Sequence, residues 1–235
     1  MEIMVTGSDK TRDAVHLSEL SKKYNLPILS IHAPTLILMP FVWGRDPEIK
    51  LRRTAEFASL LKAETVVVHP PFRWQHEYTN EFLSVVRHAS KESGVTIAVE
   101  NMFPWRIRGK EHAIYRPTWD EITDDADALT FDFSHAALSG IDTLQNFKDL
   151  SPKLHHIHLC DGRGVKQNSD EGKTWDEHLA PGQGNQPITE ALQYLASTGW
   201  DGNIITEVNT RKYRSSARKI EVLKGAADYA RGIFA

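Results

Sequence analysis

Seven imidazole and carboxylate side chains stand at or just beyond the ends of short apolar runs in this chain and two more follow in a loop, and these are the side chains that hold divalent cations in proteins. The runs are SIHA with His32, VVHP with His69, AVEN with Glu100, FDFSH with Asp132 and His135, HIHL with His158, and ITEV with Glu207. Asp176 and His178 form an Asp-x-His pair in the segment after His158, just before Pro181-Gly182-x-Gly184. One histidine at the end of a strand is usually a hydrogen-bonded structural residue. Six segments that end alike describe a site, and nine donors are too many for one ion.

The residues around these donors show how they would be brought together. Leu29 and Ile31 alternate with His32, Val66 and Val68 with His69, Ile97 and Val99 with Glu100, Phe131 and Phe133 with Asp132, and Ile157 and Leu159 with His158. Strand side chains alternate between two faces, so the apolar set suits a surface covered by helices and the polar set falls on the other face. That polar face, at the C-terminal ends of parallel strands, is where a βα barrel gathers its active-site groups. His155 has the wrong parity for this face, whereas His156 shares it but lies deeper.

Strand-like and helical patterns alternate throughout, which implies parallel βα units. Strands are predicted at 3–5, 28–32, 65–69, 96–100, 129–133, 155–160 and 203–208. Helices are predicted near 13–24, 47–62, 77–93, just after Thr118, and near 143–150, 189–197 and 216–232. The expected fold is therefore a single α/β barrel domain over residues 1–235. It has seven strands where a closed barrel uses eight. The missing βα unit is expected to be the N-terminal one, lost or cut off by a misplaced start codon. That would leave an open seam between the Ile3 and Ile204 strands, and an edge of this kind invites covering by a second copy, hence an expected homodimer.

Composition narrows the function classes. The net charge of -3, from 28 basic and 31 acidic residues, gives no electrostatic footprint for nucleic acid or an anionic membrane. No apolar run approaches the roughly 20 residues of a membrane helix, and the amino terminus carries no signal segment. Cys160 is the single cysteine, expected to fill space in a strand, so no intrachain disulfide forms and a cytoplasmic location is expected.

The motifs HAPTL at His32, VVVHP at His69, VEN at Glu100, DFSH at Asp132, HLCD at His158, DEH at Asp176, PGQG at Pro181 and TEVN at Glu207 resemble those of the xylose-isomerase-like TIM barrels. That group includes sugar isomerases and epimerases and the endonuclease IV type of apurinic-site nuclease. In the nuclease branch the resemblance implies three zinc ions on all nine donors, with Glu100 bridging two. In the isomerase branch it implies one divalent ion, zinc or else manganese, magnesium or cobalt, on Glu100, Asp132, His158 and Glu207, with no organic cofactor. Thr35 stands where the similar nucleases place a large aromatic that helps open DNA, and the DNA-contacting loop near the first strands is short or missing. Both departures count against a nucleic-acid substrate.

The first expectation is thus isomerisation or epimerisation of a small sugar, sugar phosphate or polyol through a metal-stabilised enediolate, with Glu100 and Glu207 as catalytic proton carriers. The alternative is phosphoester hydrolysis by a multinuclear zinc cluster, and a second alternative is a non-catalytic carbohydrate-binding barrel. Five further residues are candidates for substrate binding. Arg163 either pairs with Asp161 or offers its planar fork to an oxyanion. Trp105, Arg106 and Arg108 lie in the insertion MFPWRIRGK, placed where a lid would be, and Trp74 follows His69 in a similar position.

Overall fold

The computed structural model describes residues 1–34, 39, 41–107, 110–164 and 176–235. Tertiary contacts divide the chain into two compact units, Met1–Glu100 with Tyr115–Ala128, and Asn101–Ile114 with Leu129–Ala235.

The first unit contains strands β1 (Glu2–Met4), β2 (Ser30–His32), β3 (Thr65–Val68) and β4 (Thr96–Glu100), with helices α1 (Ala14–Tyr24), α2 (Pro47–Leu61), α3 (His76–Ser93) and α4 (Trp119–Asp125). The strands pair in parallel in chain order, with Ile3 opposite Ile31, His32 opposite Val67 and Val67 opposite Ala98. Local chemistry sets the helix ends. Asp13 and Asp46 accept the N–H groups of His16 and Ile49, Pro47 opens α2, and Gly94 ends α3 in the left-handed region. Thr118 and Glu121 form a reciprocal capping box on α4. Ile31, Val66, Ile97 and Val99 are buried, as the alternation predicts, together with Leu51, Ala55 and Phe82 from the helices.

In the second unit, β5 (Trp105–Ile107) and β6 (Lys110–His112) form an antiparallel hairpin. They are followed by β7 (Leu129–Asp132), α5 (Phe133–Ser139), α6 (Thr143–Leu150), β8 (Leu154–Leu159), α7 (Ile188–Ser197), β9 (Asn203–Thr206) and α8 (Ser216–Ile233). Strands β7, β8 and β9 are parallel neighbours, with Asp132 opposite His158 and His158 opposite Ile205. Phe131, Phe133 and Phe147 pack with ring centroids 4.9–5.4 Å apart, and all three are fully buried. Each such ring contributes about 1.5–3 kcal/mol of burial free energy.

Four parallel strands in one unit and three in the other make the seven expected among the described residues. Two local expectations are corrected. Asp132 was expected to lead through Phe133 into a loop bearing His135, but the strand stops at Asp132 and Phe133 begins a helix. The Asp132 carboxylate caps that helix by accepting the His135 N–H at 2.7 Å, and the helix-forming run Ala136-Ala137-Leu138 sustains it until Gly140. The insertion after Glu100 was expected as a loop placed where a lid would be, but part of it is the β5–β6 hairpin, in which Trp105 faces His112. Among the described residues, no helix is long and apolar enough to cross a membrane.

Candidate metal centre

In the first unit, His32 at the end of β2, His69 just past β3 and Glu100 at the end of β4 converge. His32 Nε2 lies 3.2 Å and His69 Nε2 2.9 Å from the same oxygen, Glu100 Oε2. The two rings meet edge to face with centroids 4.9 Å apart. His32 Nδ1 lies 3.0 Å from the Ala33 carbonyl, which holds the ring hydrogen on that nitrogen and turns Nε2 toward the carboxylate. His32 and Glu100 are buried.

The second unit repeats this device. His135 Nε2 and His178 Nε2 lie 3.2 and 2.7 Å from one oxygen, Asp176 Oδ2. The Nδ1 atoms of both rings again face backbone carbonyls, that of Asn101 at 2.8 Å from His135 and that of Glu207 at 3.1 Å from His178. Ser134 donates to Asp176 Oδ1 at 2.7 Å and accepts the His178 N–H at 3.2 Å, so the loop bearing the Asp-x-His pair is fastened to the start of α5. In the same unit, His158 Nδ1 lies 2.8 Å from Glu207 Oε2 and 3.8 Å from Asp132 Oδ2.

Electrostatics follow from this crowding of donors. Burial disfavours charge on His178, but the field of Asp132, the hydrogen bond to Asp176 and the Glu207 carboxylate outweigh it and raise the imidazole to about 9. Burial likewise opposes charge on Asp176, yet His135 and His178 hold its carboxyl well below the usual carboxylate range. A histidine whose Nδ1 hydrogen is committed to a carbonyl can face a carboxylate at hydrogen-bond distance only with a proton or another cation between them. In each three-residue group the donor atoms lie within 4.8 Å of one another, and imidazole nitrogen with carboxylate oxygen is a donor set that suits zinc. The residues present fit a divalent ion.

All nine residues expected as ligands thus lie in such groups within one unit or the other. The substrate-binding candidates fare differently. Arg163 bonds Glu177 through both its backbone N–H, at 2.9 Å, and its guanidinium, at 3.2 Å. Arg106 donates to the Leu138 carbonyl at 2.9 Å and pairs with Glu111, which ties the hairpin to α5. Trp74 stacks on Phe72 at 4.6 Å, Phe72 stacks on Tyr115, and Trp74 remains half exposed. Arg108 lies outside the described residues.

Two residues matter more than their sequence context shows. Asp161 was read only as a loop charge, but its buried carboxylate accepts the N–H groups of Gly162, Gly182, Gly184 and Gln186 at 2.8–3.2 Å and so folds the PGQG turn. A Cβ on Gly184 would lie 2.2 Å from Asp161 Oδ1, which explains the glycine there. Cys160 does more than fill space, because its thiol donates to Asp132 Oδ2 at 3.2 Å.

The protein Rv0498 of Mycobacterium tuberculosis is 37% identical over 250 residues, covering 98% of this chain and 86% of its own length. A crystal structure of a D-tagatose 3-epimerase-like protein superposes with a TM-score of 0.69 at 26% identity, covering 100% of this chain and 90% of that one. The IOLI protein, whose crystal structure holds a zinc atom, superposes with a TM-score of 0.61 at 18% identity, covering 99% and 87%. The model of the xylose isomerase-like TIM barrel family matches residues 3–232, and the chain belongs to that family.

Proposed function

We propose that this chain is a divalent-metal-dependent isomerase or epimerase of a small sugar, sugar phosphate or polyol. The observation that carries the reading is Glu207 itself: its Oε2 rests 2.8 Å from His158 Nδ1, while the side chain keeps 29% of its surface exposed. It is a carboxylate held in place and still reachable by substrate. The 26% identity to a D-tagatose 3-epimerase-like protein over the whole chain supports a sugar substrate.

A bound divalent ion would supply Lewis acidity toward a carbonyl and its neighbouring hydroxyl. Asp132 and His158, both buried, would hold that ion, and the family resemblance adds Glu100 and Glu207 as donors. Glu100 and Glu207 are assigned the two proton transfers at carbon. Coordination lowers a carboxylate's basicity, so the less tightly held of the two abstracts the proton. Glu100 exposes only 1% of its side chain and lies against two imidazoles, which supports Glu207 as the base.

The test is deuterium incorporation from D2O into a panel of ketoses by the metal-loaded protein. Glu207→Gln and Glu100→Gln should each abolish exchange while some metal stays bound. Exchange that persists in both variants would overturn the scheme.

A second reading, phosphoester hydrolysis by a multinuclear zinc centre, is favoured by one feature. The group of His135, Asp176 and His178 offers three donors beyond the four an isomerase of this family needs. Elemental analysis separates the two readings, since about three zinc ions per chain with turnover of an activated phosphodiester would favour hydrolysis and about one ion would favour isomerisation.

A further inference from the structure

Asn101 follows Glu100 directly in the chain and is 3% exposed. Both polar atoms of its side-chain amide are bonded to backbone. Nδ2 donates to the Asp132 carbonyl at 2.9 Å, and Oδ1 accepts the Asp132 N–H at 2.7 Å. The amide thus grips both polar groups of one backbone residue, as a neighbouring strand would, at the point where β7 ends and α5 begins. The Asn101 main chain completes the arrangement, since its N–H donates to the Thr130 carbonyl at 3.3 Å and its carbonyl oxygen lies 2.8 Å from His135 Nδ1.

We propose that Asn101 is a positioning residue that sets two donors of the metal centre at once. It fixes the backbone of Asp132, whose carboxylate caps α5, and it selects the ring orientation of His135, whose Nε2 is thereby aimed at Asp176 Oδ2. The proposal rests on the metal-dependent reading above. Any residue here would offer His135 a backbone carbonyl, but asparagine's side chain carries a donor and an acceptor on one rigid plane, and its grip on Asp132 fixes the backbone that presents that carbonyl.

Asn101→Asp keeps the shape and the acceptor but removes the donor to the Asp132 carbonyl and sets a negative oxygen against it. The probe is cobalt(II), titrated into the chelator-stripped full chain and followed by its visible absorption, with the melting temperature of the metal-free protein measured alongside. Loss of a partner that orients a metal ligand lowers metal affinity about 10- to 100-fold. The expected result is a fall of that size together with an altered cobalt spectrum, in a variant whose metal-free form still melts cooperatively. Should Asn101→Asp not fold, Asn101→Ser, which is too short to reach Asp132 with both a donor and an acceptor, carries the same test. A folded variant with wild-type cobalt affinity and spectrum, whatever its melting temperature, would overturn the positioning role alone. A wild-type chain that binds no cobalt, zinc or manganese would overturn the metal-dependent reading and this role with it.

Discussion

Asp176 Oδ2 sits 2.7 Å from His178 Nε2, and each member of the pair keeps the other charged in partly buried surroundings. This pairing gives the metal-free chain a distinct pH profile. The imidazole rises from its ordinary 6.5 to about 9, so its contribution is fully present below about pH 6.5 and is lost as the pH climbs through 9. Asp176 shifts downward, so its contribution is present above the ordinary carboxyl value of 3.8 and is lost as the pH falls further. The melting temperature of chelator-treated protein should therefore fall between pH 6.5 and 9.5, by an amount on the order of 2 kcal/mol in stability. His178→Ala should flatten that limb. A wild-type melting temperature that is level or rises over this range would contradict the pairing.

Zinc should reverse this loss. An ion that binds only the folded chain stabilises it by mass action, by about 4 kcal/mol at a thousandfold excess over its dissociation constant. Differential scanning calorimetry at pH 8 should show the melting temperature raised by zinc and returned to its starting value by a chelator. His135→Ala should lower the number of ions retained per chain, because it removes one of the three donors of the His135, Asp176 and His178 group.

Asp161 predicts a structural defect. Its carboxylate collects backbone N–H groups from Gly162, Gly182, Gly184 and Gln186, so Asp161→Ala strands several donors and should cost on the order of 3 kcal/mol in urea denaturation. Gly184→Ala should cost a similar amount by collision with the same carboxylate. Wild-type stability in both variants would refute the clamp.

Cys160 should be chemically quiet. The thiol is fully buried, and burial, Asp132 and Glu207 all push its ionisation upward, so the reactive thiolate is scarce. A thiol reagent at pH 8 should label the native chain slowly and label one site promptly in denaturant. Fast labelling of native protein would show that the group is more open than the packing around Asp132 requires.

Much of this was legible in the residues. Alternation of β-branched runs with helical patterns located every parallel strand among the described residues to within about two residues, and the caps at Asp13, Asp46-Pro47 and Thr118 show that the helix starts are set by local chemistry as well. The donors were legible for the same reason, since a polar residue on the wrong side of an apolar alternation stands out. Helix α5 was missed because Phe131-Asp132-Phe133 continues the strand pattern by one residue, and only the Asp132 to His135 cap reveals the change of period. The hairpin was missed because its alternation covers just three residues on each side. Arg106 and Arg163 were expected at a substrate for their charge, and their contacts with Leu138 and Glu111 for one and Glu177 for the other were not foreseen. Such pairings depend on how the hairpin and the loops fold, which charge alone does not encode.

The Asp132 carboxylate does two jobs with two oxygens, one accepting the first turn of α5 and the other lying within 3.8 Å of His158. An ion that pulled on the second oxygen would also tug at the first, so that filling the centre and firming the helix would be a single event. The hydrogen-exchange rate of the His135 amide would then report, from the backbone, how much ion a preparation carries.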